Sequence, residues 1–421
     1  MVNNLASALD VLAILGSFVL GLVVLLLMVT VHEFGHYVSG KLLKFDILEF
    51  SIGMGPKLFS KKKKNGEIFS IRALPLGGFC AFAGEDEENK SPGAFNNQAP
   101  WKRLIVLFSG ALMNFVSAIL VCSIAFACFG ETVTVVHSVS DFAPTQNHVL
   151  QQGDIIYEID GKKVYTVDSL SFYTSDEMQI KVIRNGEIVT LNGVVTKDFV
   201  FSYVSSIGME ISDGQNVAKI NDQITKIDGQ YLTKANDFKT LLNMAGETCQ
   251  LTVVTQQGNE FTVEVATADL LSKVTVQERV FHGMGITTSY QMYRFGFWET
   301  LGRVFGYCLE VAMFVLRTLG GLLTGAIGID AVGGPITTIS LTTQVASQGI
   351  QSIVTFFVLI SVNLGVFNLL PVPALDGCRM VFVLVEWIRG KPINRNIEGI
   401  INTIGFFVLV TLMVLIDLLK L

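Results

Sequence analysis

The sequence predicts an α-helical polytopic membrane protein with four transmembrane helices, into which two extracytoplasmic α+β domains and a cytoplasmic β-hairpin element are inserted. Three observations predict it. Of the 421 residues 50% are hydrophobic and only 16% charged, at a mean hydropathy of +0.52, which excludes an ordinary soluble domain. Four apolar runs have the length that a bilayer core requires. Between the second and third lies a long acidic stretch that repeats itself.

The four spans are residues 11–31, 104–128, 350–370 and 400–416. No Lys or Arg precedes the first, the earliest being Lys41, so it lacks the basic start of a cleaved signal peptide and should persist. The loop from Lys41 to Arg103 carries 11 Lys or Arg, and Arg379, Arg389, Lys391 and Arg395 precede the last span. Short basic loops stay inside, so both are expected to be cytoplasmic. Residues 131–280 hold 20 Asp or Glu against 11 Lys or Arg, which fits an extracytoplasmic portion.

Residues 297–323 are apolar but contain Glu299, Arg303, Glu310 and Arg317. At 100° per residue these charges fall within about 40° of one another. Such a narrow polar stripe predicts a helix lying in the membrane interface, not a fifth span. The six cysteines are scattered over spans, loops and the acidic stretch, which gives no disulfide framework.

The acidic stretch is duplicated. Gly153-Asp154-Ile155-Ile156-Tyr157-Glu158-Ile159-Asp160-Gly161 recurs as Asn221-Asp222-Gln223-Ile224-Thr225-Lys226-Ile227-Asp228-Gly229, 68 residues later. Downstream of the first copy, alternating apolar residues flank Asn185-Gly186, the signature of a tight β-hairpin. A strand and turn, a helical stretch, a hairpin and a closing strand (208–211 and 283–286) resemble PDZ domains in the permuted order seen in bacteria. That resemblance implies two PDZ-like units, at 131–214 and 215–290, flanked by 1–130, a linker with the interfacial helix at 291–347, and 348–421. Such domains bind peptide C-termini by adding a strand to a sheet edge. An equally good reading is a pair of β domains that filter by size.

The chemistry sits at the end of the first span, where His32-Glu33-Phe34-Gly35-His36 spells H-E-x-x-H. On a helix two histidines four residues apart share a face and can hold one zinc, while Glu33 stands beside them as a general base. Ionisable residues at a membrane segment are costly and usually functional. A catalytic zinc usually has three protein ligands, so one is missing. Asp46, Glu49, Glu85, Asp86, Glu87 and Glu88 lie downstream in a lysine-rich loop that reads equally well as a solvated face. Asp376 is the stronger candidate, because Pro371 and Pro373 break the helix before it and three antiparallel spans bring it to the same side as the histidines. A full span at 297–323 would reverse that parity.

Taken together, H-E-F-G-H at 32–36, F-S-I-G-M-G-P-K-L at 50–58, L-P-L-G-G-F at 74–79, G-G-P-I at 333–336 and N-L-L-P-V-P-A-L-D-G at 368–377 resemble the site-2 protease family of intramembrane metalloproteases. The likeness is to its bacterial RseP type, with PDZ domains between the second and third helices. It implies zinc held by His32, His36 and Asp376, Glu33 as the catalytic glutamate, and Asn363 and Asn368 as polar residues near the aspartate that help hold an unwound substrate. It also implies a membrane-dipping hairpin at 68–82. The chain departs from the family in Gly110-Ala111-Leu112-Met113-Asn114, which has no proline, and in Cys378, which replaces a second glycine. Both changes bear on packing and loop flexibility.

The expected activity is zinc-dependent endoproteolysis of single-span membrane proteins, anti-sigma factors or remnant signal peptides by family likeness, after a first cut has removed the outer domain. The expected location is the bacterial inner membrane, with the metal toward the cytoplasm, lipid as surroundings and no nucleic-acid partner. Two alternatives stand beside it: a PDZ-bearing scaffold or chaperone with a vestigial metal site, and a membrane zincin that uses a Glu ligand.

Overall fold

The computed structural model describes residues 8–85, 89–140, 143–165, 177–233, 236–255, 260–328 and 349–419, with 333, 337, 341 and 345 between the last two. Asp86, Glu87 and Glu88, and most of the G-G-P-I motif, lie outside the described residues. Two compact units form, one from 1–131 with 294–421, the other from 132–293.

In the helical unit, helix α1 (Ala8–Leu42) is followed by strands β1 (Ile47–Lys62) and β2 (Ile68–Phe82) and by helix α2 (Pro100–Phe129). Proline at the first position of α2 suits a helix start, where its missing N–H leaves no bond unmade. Strand β1 bends, so that residues 49–52 pair with both 68–71 and 78–81 and Ile47 with Phe82, while 59–62 pair with 68–71. Among the described residues, 78–82 pair on one side only, and that edge borders the site described below.

The β unit contains β3 (Glu131–Val139), β4 (Ile155–Ile159), β5 (Glu177–Arg184), β6 (Glu187–Val195), β7 (Lys197–Ile207), β8 (Gln223–Ile227), helix α3 (Phe238–Met244), β9 (Thr248–Val254), β10 (Glu260–Ala266), helix α4 (Thr267–Lys273), β11 (Val274–Gly283) and β12 (Ile286–Tyr293). One sheet runs β12-β3-β4-β5-β6 and the other β10-β9-β8-β7-β11. Asn185 and Gly186 both have positive φ between β5 and β6, the turn that their dipeptide predicts.

The sheets do not follow the cut expected at 214/215. Strand β7, expected in the first domain, pairs with β8 and β11 and buries Val204 in the second core. Strand β12, expected near the end of the second, joins the first sheet, and Met284 just before it packs on Ile156 and Ile159. The second sheet is thus inserted between β6 and β12 of the first. Residues 208–211, expected as a closing strand, are not a strand, although Ile211 is buried in the second core.

Three further long helices complete the helical unit: α5 (Phe297–Thr324), α6 (Ile350–Leu369) and α8 (Arg395–Leu419), with α7 (Asp376–Arg389) between the last two. Helix α2 runs antiparallel to α1, His32 lying beside Asn114 and His36 beside Val106. It is antiparallel to α6 as well, Ser361 meeting Ser117 and Gly365 meeting Ala111. The C-terminal ends of α1 and α6 therefore coincide.

Helix α5 has the length of a span, where an interfacial helix is expected. Among the described residues five helices are long and apolar enough, by length and composition, to cross a membrane, α5 among them. It packs Val304, Cys308, Val311 and Val315 against Ala118, Cys122, Val358 and Val362. Part of its polar stripe is used internally: Arg303 is buried against Glu131, while Arg317 pairs with Glu310 at the surface.

Candidate metal centre

Helix α1 presents both histidines to the interior, His32 and His36 being 6% and 7% exposed. Their Nε2 atoms lie 3.1 Å apart. Asp376, at the first position of α7, places Oδ2 2.9 Å from His32 Nε2 and 3.2 Å from His36 Nε2. Ligand atoms about 2.0–2.1 Å from a tetrahedral zinc stand about 3.3 Å from one another, so this donor set has the spacing of a zinc site. Among the described residues it is the group that can hold a metal.

The rings are oriented from behind. His36 Nδ1 donates to the Val106 carbonyl oxygen at 2.7 Å, which leaves its Nε2 lone pair toward the cluster. The side-chain amides of Asn114 and Asn368 lie 3.2 and 3.4 Å from His32 Nδ1. As placed, Asn114 Oδ1 is buried without a hydrogen-bond partner. Turning the amide lets that oxygen accept Nδ1–H and fixes the second Nε2 as a ligand.

Asn114 is the residue that sequence reasoning left without a role, since 110–114 pointed only to packing. A lone amide inside an apolar helix is the signal that could have found it. Gly110 belongs to the same contact. A Cβ there would lie 2.4 Å from His36 Nε2, and one on Gly35 would lie 2.2 Å from the Ser109 carbonyl oxygen. Only glycines allow α1 and α2 to cross this closely.

The turn ahead of Asp376 is fixed by neighbours on α8. Ala374 has a left-handed φ of 75°, its N–H is 3.2 Å from Asn402 Oδ1, and Pro373 lies against Gly405. Glu33 is on the other side of the cluster, where its carboxyl is hydrogen-bonded to the backbone of Cys80. Between them is a cavity of about 340 Å³ lined by Glu33, His36, Phe79, Cys80, Phe82 and Asp376, among others. The Glu33 carboxyl, two of the three donor residues and a free strand edge thus face one space.

Residues 20–412 match peptidase family M50. The chain belongs to that family, the site-2 proteases. A provisionally named zinc metalloprotease of Clostridium perfringens is 29% identical over 93% of this chain and 94% of its own. The probable protease eep of Enterococcus faecalis is 28% identical over 93% and 95%. Zinc metalloprotease RasP of Shouchella clausii is 28% identical over 92% and 94%. This chain is accordingly a membrane-embedded metalloprotease of the site-2 family.

In this site-2 protease the other acidic candidates among the described residues are engaged elsewhere. Asp46 bonds Ser91, Glu49 accepts from Ser70, Arg72 and Lys57, and Glu85 pairs with Arg379. Burial opposes the charge on Glu49, but those three donors outweigh it and hold its carboxyl at about 2. Asn368 joins the cluster through His32, whereas Asn363 is half-buried on α6 and none of the described hydrogen bonds joins it to the ligands.

Proposed function

We propose that the protein is a zinc-dependent intramembrane endopeptidase in which His32, His36 and Asp376 hold the metal and Glu33 is the catalytic base. The observation that carries this reading is the convergence of three donor atoms within 3.2 Å of one another beside a half-buried carboxylate. Zinc bound there would polarise a scissile carbonyl and acidify water. Glu33, on the cavity wall, would take the proton from the attacking water and pass it to the leaving amine. Asn114 and Val106 would keep both imidazoles in the ligating tautomer. The unpaired edge at 78–82 would accept an unwound substrate as an added strand, which suits hydrolysis because a membrane helix hides its peptide bonds until it unwinds. Asn363 and Asn368 are proposed to steady that strand.

The substrates proposed are single-span membrane proteins already trimmed outside the membrane, with anti-sigma factors and remnant signal peptides as the classes that the family resemblance implies. The basic loops support a metal site on the cytoplasmic side of the inner membrane. Residues 132–293 are proposed to be extracytoplasmic and PDZ-like, one unit nested in the other, excluding substrates with bulky outer domains or holding the C-terminus left by the first cut.

Purified Glu33→Gln should retain zinc while cleavage of a single-span substrate falls by roughly 10²–10⁴-fold. Undiminished cleavage would remove Glu33 from the reaction, and full zinc content in Asp376→Asn would remove the third ligand.

A further inference from the structure

Three cavities of the helical unit meet at one side chain. The metal cavity of about 340 Å³ is also walled by Glu85 and Arg379. A second, of about 160 Å³, shares Glu85, Phe95, Leu107 and Arg379 with it and adds Arg103, Glu398 and Asn402. A third, of about 300 Å³, lies between Ala374, Arg379, Asn402, Thr403 and Phe406. Arg379 borders all three and forms an ion pair with Glu85.

The pair joins the two elements that build the catalytic space. Arg379 follows Asp376 by one turn of α7, hence on the same face. Glu85 also accepts the backbone N–H of Phe82, the last residue of the edge strand and part of the metal-cavity wall. The second cavity has a mixed lining: Arg103, whose Nε is buried without a hydrogen-bond partner, Arg379, Glu85, Glu398 and Asn402 stand in it beside Phe95, Leu107 and Val383. A space that small, with two guanidinium groups and two carboxylates on its walls, suits water and not an apolar peptide. Each peptide bond cleaved consumes one water, which must reach the metal cavity.

We propose that the Glu85–Arg379 pair is a solvent gate between the second cavity and the metal cavity, opening to deliver water to the reacting carbonyl. This rests on the metal cavity being the catalytic one. With the side chains 17% and 37% exposed, the pair is the kind of partly solvated contact that opens readily: its loss should change the open population by roughly fivefold. Glu85 and Arg379 are positioning residues, acting on the reaction through access alone.

Cys80 reports the gate, because it lines the metal cavity and is 8% exposed. The experiment uses holoenzyme in proteoliposomes with the other five cysteines replaced by alanine, labelled with a small, anionic, membrane-impermeant methanethiosulfonate. Glu85→Gln and Arg379→Gln should each speed labelling of Cys80 by roughly fivefold, and the double variant should be no faster than either. The swap of Glu85→Arg with Arg379→Glu should return the rate toward that of the parent. Single variants that label at the parental rate, or a swap as fast as the singles, would overturn the proposal. So would labelling of the buried Cys249 in a Cys249-only chain bearing the same substitutions, which would mean general loosening. Zinc content of the same samples reports the metal site separately: zinc absent with the labelling pattern intact would sink the proposed ligand set and leave the gate standing.

Discussion

In the helical unit two ion pairs are buried on both sides. Arg303 and Glu131 are 1% and 2% exposed as side chains and meet at 2.5 and 2.8 Å, and Arg103 and Glu386 lie 2.7 Å apart at 6% each. In the β unit, pairs such as Lys273–Asp269 and His282–Asp198 sit at the surface with both partners more than a third exposed, and the two cores are built from Ile, Val, Leu and Met. The difference follows from the solvent around each. A sheet can leave its charges in water and bury an apolar face. A helix among other apolar helices gains little from burying more apolar surface, so close glycine contacts and matched polar pairs fix its neighbours.

The largest effect should therefore come from the tightest polar contact of the helical unit. Gly110→Ala would drive a methyl group into His36 Nε2, and no rotamer change of the alanine relieves it. Zinc affinity should fall by at least roughly 10–100-fold, measured by competition with a chromogenic chelator, with proteolysis falling in parallel. Parental zinc affinity in that variant would mean that α1 and α2 separate more easily than their crossing implies.

Next is the buried pair at the start of α5. Arg303→Ala leaves Glu131 uncompensated and should cost about 3–5 kcal/mol, read as a fall in the unfolding midpoint of the detergent-solubilised protein. Replacing both residues by Met and Leu should recover most of that loss, since a matched apolar pair needs no compensation. A single variant as stable as the parent would show that water reaches Glu131.

This pair also shows what was legible in the sequence and what was not. The spacing of H-E-x-x-H is enough to propose two ligands and a base, and the directions of α1, α2 and α6 to propose Asp376 as the third, so bringing these side chains together needed only spacing and topology. The role of α5 was not legible, because a polar stripe looks the same whether it meets water or, as with Arg303, a partner 172 residues away. Nor was the nesting of the sheets: which sheet 197–207 and 286–293 join depends on which core Val204 and Met284 fill. Asn114 was missed for the same reason, its meaning depending on His32, 82 residues distant.

A smaller effect is expected at the base of the strand pair in the helical unit. Glu67 is bound by Lys41 at 2.8 Å and Lys63 at 2.6 Å, with Asn65 at 3.1 Å. Burial raises its pKa, but these partners outweigh burial and lower it from 4.5 to about 2. A carboxylate whose pKa is depressed on folding stabilises the fold above its unfolded value, and that contribution is lost as pH falls from about 4.5 toward 2. Glu67→Gln should flatten the acid limb of the stability profile in that window and leave the neutral-to-alkaline part of the curve unchanged in shape. An identical acid limb in the variant would show that the lysines do not hold Glu67 in solution.

The smallest effect tests whether the two β repeats are equivalent. Gly153 and Asn221, 68 residues apart, both have left-handed φ, 91° and 72°. The following turns match as well, Asp160 and Asp228 at 46° and 51°, Gly161 and Gly229 at 78° and 74°. Asparagine is among the residues that tolerate this region best after glycine, so it replaces the glycine of the first copy without breaking the turn. Gly153→Ala should then cost about 1 kcal/mol, while Asn221→Gly should change stability by only a few tenths, relief of strain being offset by a freer unfolded chain. Urea unfolding followed by a probe in 132–293 separates the two. Equal losses would mean that the side chain of Asn221, and not its backbone conformation, holds the second turn, and the repeats would then share a sequence pattern without sharing its physical cause.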